Sequence, residues 1–100
     1  MHCLIINFQI QGITHEQYSE SCDGLAATFA AIPGLISKHW LANEATNTYG
    51  GVYLFDDEAA MQAYKSSELF SQVANNPAFT NATATDFAIL AGPSKVTGVS

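Results

Sequence analysis

An α+β fold with one antiparallel sheet follows from three observations. Four short segments are rich in β-branched and aromatic residues, and two longer ones carry apolar residues at helical spacing. Glycine, proline and asparagine clusters separate them, and the order reads β, α, β, β, α, β.

His2 to Ile10 forms the first strand, and Gly12 breaks it. Thr14 followed by Gln17 has the spacing of a capping box, in which a hydroxyl and an amide satisfy the orphan N–H groups of a helix start. Tyr18, Cys22, Leu25, Phe29 and Ile32 then recur every three or four residues as an amphipathic stripe, stopped by Pro33-Gly34. Leu35 to Leu41 is the second strand, and Asn43 to Asn47 a polar hairpin connection. Thr48 to Phe55, with its Gly50-Gly51 pair, is the third. Asp56 or Asp57 caps a second helix, Glu58 favours its dipole, and Ala60, Met61 and Tyr64 face inward. Ser66 to Val73 reads as a further short helical turn, broken by Asn75-Asn76-Pro77, and Asp86 to Ala91 as the last strand. The small, polar stretch 92–100 is expected to be a loose tail.

Right-handed crossovers place both helices on one face of the sheet, which makes a ferredoxin-like βαββαβ sandwich. One domain over residues 1–100 is expected. Strand one (Cys3-Leu4-Ile5-Ile6-Asn7-Phe8) and the last strand (Phe87 to Ala91) do not alternate cleanly, so both sheet faces are expected to be covered. A second copy of the sheet is the simplest cover for the face without helices, which predicts a homodimer.

The formal net charge is −6 with three cationic side chains, which argues against nucleic acid and anionic membrane surfaces as partners. No apolar run reaches the length of a membrane span. Cys3 and Cys22 have neither C-x-x-C nor zinc spacing and read as buried small hydrophobes. The chain opens directly on a strand pattern without the order of a signal peptide, and the expected location is the cytoplasm.

No G-x-G-x-x-G, P-loop, H-E-x-x-H or G-x-S-x-G motif is present. His2, His15 and His39 lie on separate elements without metal spacing, so neither metal nor cofactor is expected. An enzyme built from this chain works with a pocket and a few polar or aromatic groups. Strand alternation puts Ile36, Lys38 and Trp40 on one face and Ser37 and His39 on the other. Lys38 either holds an acidic group or polarises an oxygen, or else it carries its stem over Trp40 and snorkels to water. His39 is a candidate base, or an edge-strand imidazole bonded to solvent. Asn7, an amide in an apolar strand, offers a hydrogen bond to a ligand oxygen or is satisfied by a neighbour. Tyr53 positions an oxygen or simply packs, and Tyr64 and Tyr18 on the inward helix faces share that ambiguity. Asp56, Asp57 and Glu58 are better explained by helix capping than by catalysis.

Several pieces together carry a family resemblance. They are Pro33-Gly34-Leu35, Lys38 and Trp40, then Glu44, then Gly50-Gly51-Val52-Tyr53-Leu54-Phe55, with Ala63-Tyr64, Phe8 and Gly12 in supporting places. In these the chain resembles the YdhR-like monooxygenases over residues 3 to 90. The resemblance implies a dimeric α/β barrel, in which ferredoxin-like subunits pair sheet to sheet. Its fold neighbours oxidise electron-rich aromatics with O₂, some without a cofactor. The superfamily also holds haem-degrading enzymes, which use an Asn on strand one, a Trp on the second helix and a haem-ligating His after it. Here Asn7 matches the first and Tyr64 falls near the second, but Ser66 to Phe79 contains no histidine, which argues against haem.

The function expected is therefore cofactor-independent monooxygenation of a small aromatic, phenolic or quinol-like substrate. His39 or Lys38 handles charge. Asn7 and Tyr53 position oxygen, Trp40 forms a stacking wall, and Phe29 and Tyr64 are further substrate contacts. A non-catalytic small-molecule binding protein and an isomerase or lyase of the same superfamily are the alternatives.

Overall fold

A computed structural model describes residues 1–98 of the chain. The elements are β1 (His2–Ile10), α1 (His15–Ala30), β2 (Leu35–Asn43), β3 (Thr48–Phe55), α2 (Glu58–Lys65), α3 (Glu68–Ala74), β4 (Phe79–Ala88) and α4 (Ala91–Val96). The strands lie in the order β2-β3-β1-β4, every neighbouring pair antiparallel. Each β-α-β unit therefore skips one strand, as a ferredoxin-like sandwich requires.

Local signals set the helix boundaries. The Thr14 hydroxyl accepts from the Gln17 N–H at 3.1 Å, and the Gln17 amide oxygen accepts from the Thr14 N–H at 2.8 Å. This reciprocal cap is worth about 1 kcal/mol. Asp57, rather than Asp56, caps α2 through the Ala60 N–H at 2.8 Å. Ser67 caps α3 in the same way.

Register assigns each strand residue to a face. Leu4, Ile6 and Phe8 pair with Tyr53, Gly51 and Tyr49, and all are buried beneath the helices. The helices close this face with Tyr18 and Phe29 of α1 and with Met61 and Tyr64 of α2. The opposite face carries Cys3, Ile5, Asn7 and Gln9 of β1, each half-buried. Alternation along β1 is thus regular in burial although not in polarity, because the face without helices is itself largely apolar.

Gly50 sits where two strands approach closely. Its φ is +153°, and a Cβ there would lie 1.8 Å from the Ile6 carbonyl oxygen, so the centre of the sheet has room for hydrogen only. Gly51 has a different role. Its Cβ would meet the Lys38 Cε at 2.9 Å, so the missing side chain is the space in which the Lys38 stem lies.

The structure departs from the sequence expectation most in the last strand, in the C-terminal stretch and in the register of β2. The last strand is Phe79–Ala88, not Asp86 to Ala91. Its Thr-Ala-Thr run is β-branched at alternate positions but has no apolar stripe, since β4 is an edge strand and mostly exposed. The stretch expected to be a loose tail over 92–100 is helical over Ala91–Val96, with Pro93 in the first turn where its missing N–H costs nothing. Residues 99–100 of that stretch lie outside the described residues. Finally, β2 shifts register between Leu35 and Ser37. Ile36 is consequently 49% exposed, and Leu35 takes the inward place beside Lys38 and Trp40.

Candidate functional site

A cavity of about 410 Å³ lies between the helix-bearing face of the sheet and helices α1 and α3. The sheet contributes Phe8, Lys38, Trp40 and Tyr53. Helix α1 contributes Tyr18, Cys22 and Phe29, and α3 contributes Leu69 and Val73. Phe79, at the start of β4, closes one side and stacks on Phe8 with ring centroids 4.2 Å apart. The lining is aromatic and aliphatic, with a few polar groups, as in small-molecule sites generally. It includes no carboxylate among the described residues.

Lys38 is the one charged side chain of this lining. Because β2 and β3 pair Lys38 with Tyr53 and Trp40 with Gly51, the amine rises beside two aromatic rings over a gap left by glycine. Its Nζ stands 3.4 Å from the Trp40 ring centroid, 3.6 Å from that of Phe29 and 4.6 Å from that of Tyr53. Phe29 and Trp40 meet edge to face, centroids 5.1 Å apart and planes at 78°, which fixes the two nearest walls. The rings attract a cation, but removal from water penalises the charge more strongly. Burial pulls the amine down from its usual value to about 7, partly opposed by the nearby Cys22 thiol. Near neutral pH the cavity therefore holds an amine divided between its free-base and protonated forms.

Tyr53 is almost fully buried, and its hydroxyl accepts a hydrogen bond from the Tyr64 hydroxyl at 3.2 Å. Burial, reinforced by Tyr64, holds the Tyr53 phenol well above the usual range. It can donate or accept a hydrogen bond but does not ionise. Tyr18 behaves likewise through burial and its hydrogen bond with Cys22. Burial also raises the Cys22 thiol, with Lys38 pulling weakly the other way. Tyr64 stands behind Tyr53, lining a separate cleft with Ile32 and Pro33 rather than the main cavity.

The structure thus brings Lys38, Trp40, Tyr53 and Phe29 together around one cavity, with Tyr64 supporting Tyr53 from behind. It does not bring His39 or Asn7 there. Strand alternation sends both to the face without helices, His39 opposite Val52 and Asn7 opposite Gly50 and Thr83. His39 is exposed and Asn7 half-buried, so neither reaches a substrate held beside Lys38. The other imidazoles are committed elsewhere. His15 Nδ1 shares a hydrogen bond with the Tyr49 hydroxyl at 2.8 Å, and His2 Nε2 pairs with Asp86 at 2.7 Å. Folding brings Glu58 within 4.8 Å of that pair, a juxtaposition hidden by the sequence separation. The His2 nitrogen is already used by Asp86, and that link lowers the Asp86 carboxyl.

Tyr18, weighed above beside Tyr64, lines the cavity, and so do Cys22, Leu69 and Val73, which had not been singled out for it. Their signal was the apolar stripe of each helix, which marks burial but does not separate a pocket wall from a core contact. Phe79 carried no signal, because it follows the Asn75-Asn76-Pro77 break.

A family model described as "Putative mono-oxygenase ydhR" matches residues 3–100. No curated protein matches the chain. Among solved structures, a protein of unknown function from Nitrosomonas europaea, NE2512, superposes with a TM-score of 0.73 at 17% identity, over 90% of this chain and 89% of that one. SnoaB from Streptomyces nogalater, a cofactor-independent oxygenase, has a TM-score of 0.69 at 18% identity, over 88% of this chain and 91% of that one. MhuD from Mycobacterium tuberculosis, a heme-degrader with two hemes bound in its active site, has a TM-score of 0.69 at 17% identity, over 90% of this chain and 96% of that one. At these identities the likeness establishes the ferredoxin-like fold and nothing finer.

Haem does not fit the residues of this cavity. No histidine lines it among the described residues, and its one thiol is pushed up by burial, away from the thiolate that ligates iron.

Burial of Lys38 has a thermodynamic consequence. The folded-state pKa lies below the unfolded one, so the unfolded chain binds the additional proton between about pH 7 and 10.5. The penalty for burying the amine is full below that window and fades as pH rises through it. Replacing the amine in Lys38→Met is therefore expected to stabilise the fold most at pH 6, with the advantage shrinking steadily towards pH 10. Urea unfolding of both proteins across that range measures this. A stability difference independent of pH would contradict the burial of an ionisable amine.

Proposed function

Because the chain belongs to the YdhR mono-oxygenase family, we propose that it oxidises a small phenolic or quinol-like aromatic with O₂ in this cavity, without a cofactor. The observation that carries the reading is the Lys38 amine, held among Trp40, Phe29 and Tyr53 in an apolar cavity whose lining, among the described residues, contains no carboxylate.

A phenol that enters stacks against Trp40 and Phe29. The free-base amine of Lys38 takes the phenolic proton, and the resulting ammonium faces the phenolate at short range in a medium of low dielectric. This pairing makes the aromatic anion electron-rich enough to pass one electron to O₂ in the same apolar space. Recombination of the two radicals forms the C–O bond. Loss of water then leaves one oxygen atom in a quinone-type product and the other in water. Substrate oxidation supplies all four electrons, so no external reductant is required. The Tyr53 hydroxyl, held un-ionised and fixed by Tyr64, is the hydrogen-bonding group for an oxygen developing negative charge. Exclusion of water by the aromatic walls protects the radical pair.

The functional unit proposed is a homodimer joined through the sheet face without helices, in a reducing, cytoplasmic compartment where Cys3 and Cys22 stay as thiols. Supporting this, Cys3, Ile5, Val52 and Leu54 share that face with Phe87, which is 51% exposed. No helix among the described residues is long and apolar enough to cross a membrane.

O₂ uptake by metal-stripped protein with anthrones, quinols and substituted phenols tests the chemistry. Uptake is expected well above autoxidation, rising with pH to a plateau above about 7 as the amine becomes free base. Lys38→Met is expected to lower it by about 100-fold, the usual share of a general base. His39→Ala is expected to leave it unchanged. Melting shifts with these ligands but no O₂ consumed would replace the reading by a binding protein. Turnover without O₂ consumption would replace it by an isomerase. Light scattering is expected to give twice the chain mass, reduced to one chain by Ile5→Asp. A monomer for the unaltered chain would overturn the proposed assembly.

A further inference from the structure

The chain has three cationic side chains, all of them lysines, and it places one of them inside an aromatic cavity. Proton transfer uses only one property of that amine. The other is nucleophilicity, which a desolvated lysine shows towards carbonyl carbon. We propose that Lys38 forms a reversible imine with apolar aromatic aldehydes that enter the cavity. Such aldehydes form a ligand class distinct from phenols, and they need the amine but no dioxygen.

The geometry supplies what imine formation requires. The stem of Lys38 lies in the gap left by Gly51, so Nζ is presented among ring faces with no carboxylate in the lining, among the described residues, to hold it as a salt-bridged ammonium. A flat aromatic aldehyde fits against the Trp40 and Phe29 rings that already flank the amine. The Nζ lone pair forms the C–N bond while the carbonyl π electrons move to oxygen, which takes a proton. The carbinolamine then loses its hydroxyl as water together with the remaining proton from nitrogen, leaving the C=N bond. Amine and aldehyde are thus converted to imine and water, with no change of oxidation state. An apolar cavity favours the step that expels water. Tyr53 of β3 lines the same space, is kept protonated by burial and accepts from Tyr64, so its own hydroxyl proton is free to be donated to the carbonyl oxygen. The polar groups that helix α3 and the turn after it present to the cavity are the neutral Gln72 and Asn76.

The amine is drawn down to about 7, whereas an ordinary lysine at that pH is free base to only about one part in a few thousand. Lys65, Lys95 and the N-terminal amine lie outside the cavity lining and are built-in comparisons.

The test treats the full-length protein with 2-naphthaldehyde and cyanoborohydride at pH 7 and maps the reduced adduct by peptide mass spectrometry. Lys38 is expected to label at least about 100-fold faster than Lys65 and Lys95, and faster than the N-terminus. Its rate is expected to rise with pH and level off above about 7. Glyoxylate, small and charged, is expected to lose the preference for Lys38. In Lys38→Arg the naphthyl label is expected to fall to the background of the other amines. Labelling of the N-terminus ahead of Lys38, or of all three lysines at similar rates, would overturn the proposal. Neither result depends on O₂ uptake, so this reactivity and the oxygenase reading fail separately.

Discussion

The position of the Lys38 ammonium between three aromatic rings is the constraint on which the rest of the site depends. Each ring offers attraction to a cation, and the same rings displace part of the water that would otherwise solvate the half-buried amine. Desolvation wins, and the amine is drawn down to about 7. That balance needs the whole local architecture. Gly51 must lack a side chain so that the stem fits, β2 and β3 must pair Lys38 with Tyr53, and α1 must lay Phe29 across the top. A carboxylate directed into the lining would restore the charge and turn the cavity into an ordinary ion pair.

The two faces of the sheet carry different tasks. One face, beneath the helices, holds the aromatic cavity and its amine. The other presents Cys3, Ile5, Val52 and Leu54 with Asn7 and His39 between them. Strand periodicity of two makes the division strict: neighbours such as Lys38 and His39, adjacent in sequence, cannot share a site. Tyr53 and Tyr64 show how the cavity-bearing face is stiffened, since their hydroxyl contact ties β3 to α2 behind the cavity wall.

Much of this was legible in the residues. Thr14 with Gln17, the stripe from Tyr18 to Phe29, and Pro33-Gly34 marked α1 and its ends because capping and helical period are local. The pairing of Lys38 with Trp40 on one face was legible for the same reason. Ile36 was misplaced, because a register shift at Leu35 is decided by the partner strand and not by β2 itself. Most of β4 was missed because an edge strand of alternating threonine and alanine has no core face to betray it. His39 and Asn7 had suitable chemistry, but chemistry without a face assignment relative to the helices does not locate a site. The cage around Lys38 was invisible for a further reason: Phe29 comes from a different element, and only tertiary packing sets it against the amine.

The most direct test of this account is the titration of the lysine side chains by NMR, following the Cε and Nζ resonances of all three, with Lys38 assigned by its loss in Lys38→Arg. Lys38 is expected to titrate with a midpoint near 7, well below the ordinary lysine range near 10.4. Three lysines titrating together above pH 10 would contradict it, because the amine would then be a solvated cation and neither the proton transfer nor the carbonyl chemistry built on it would stand.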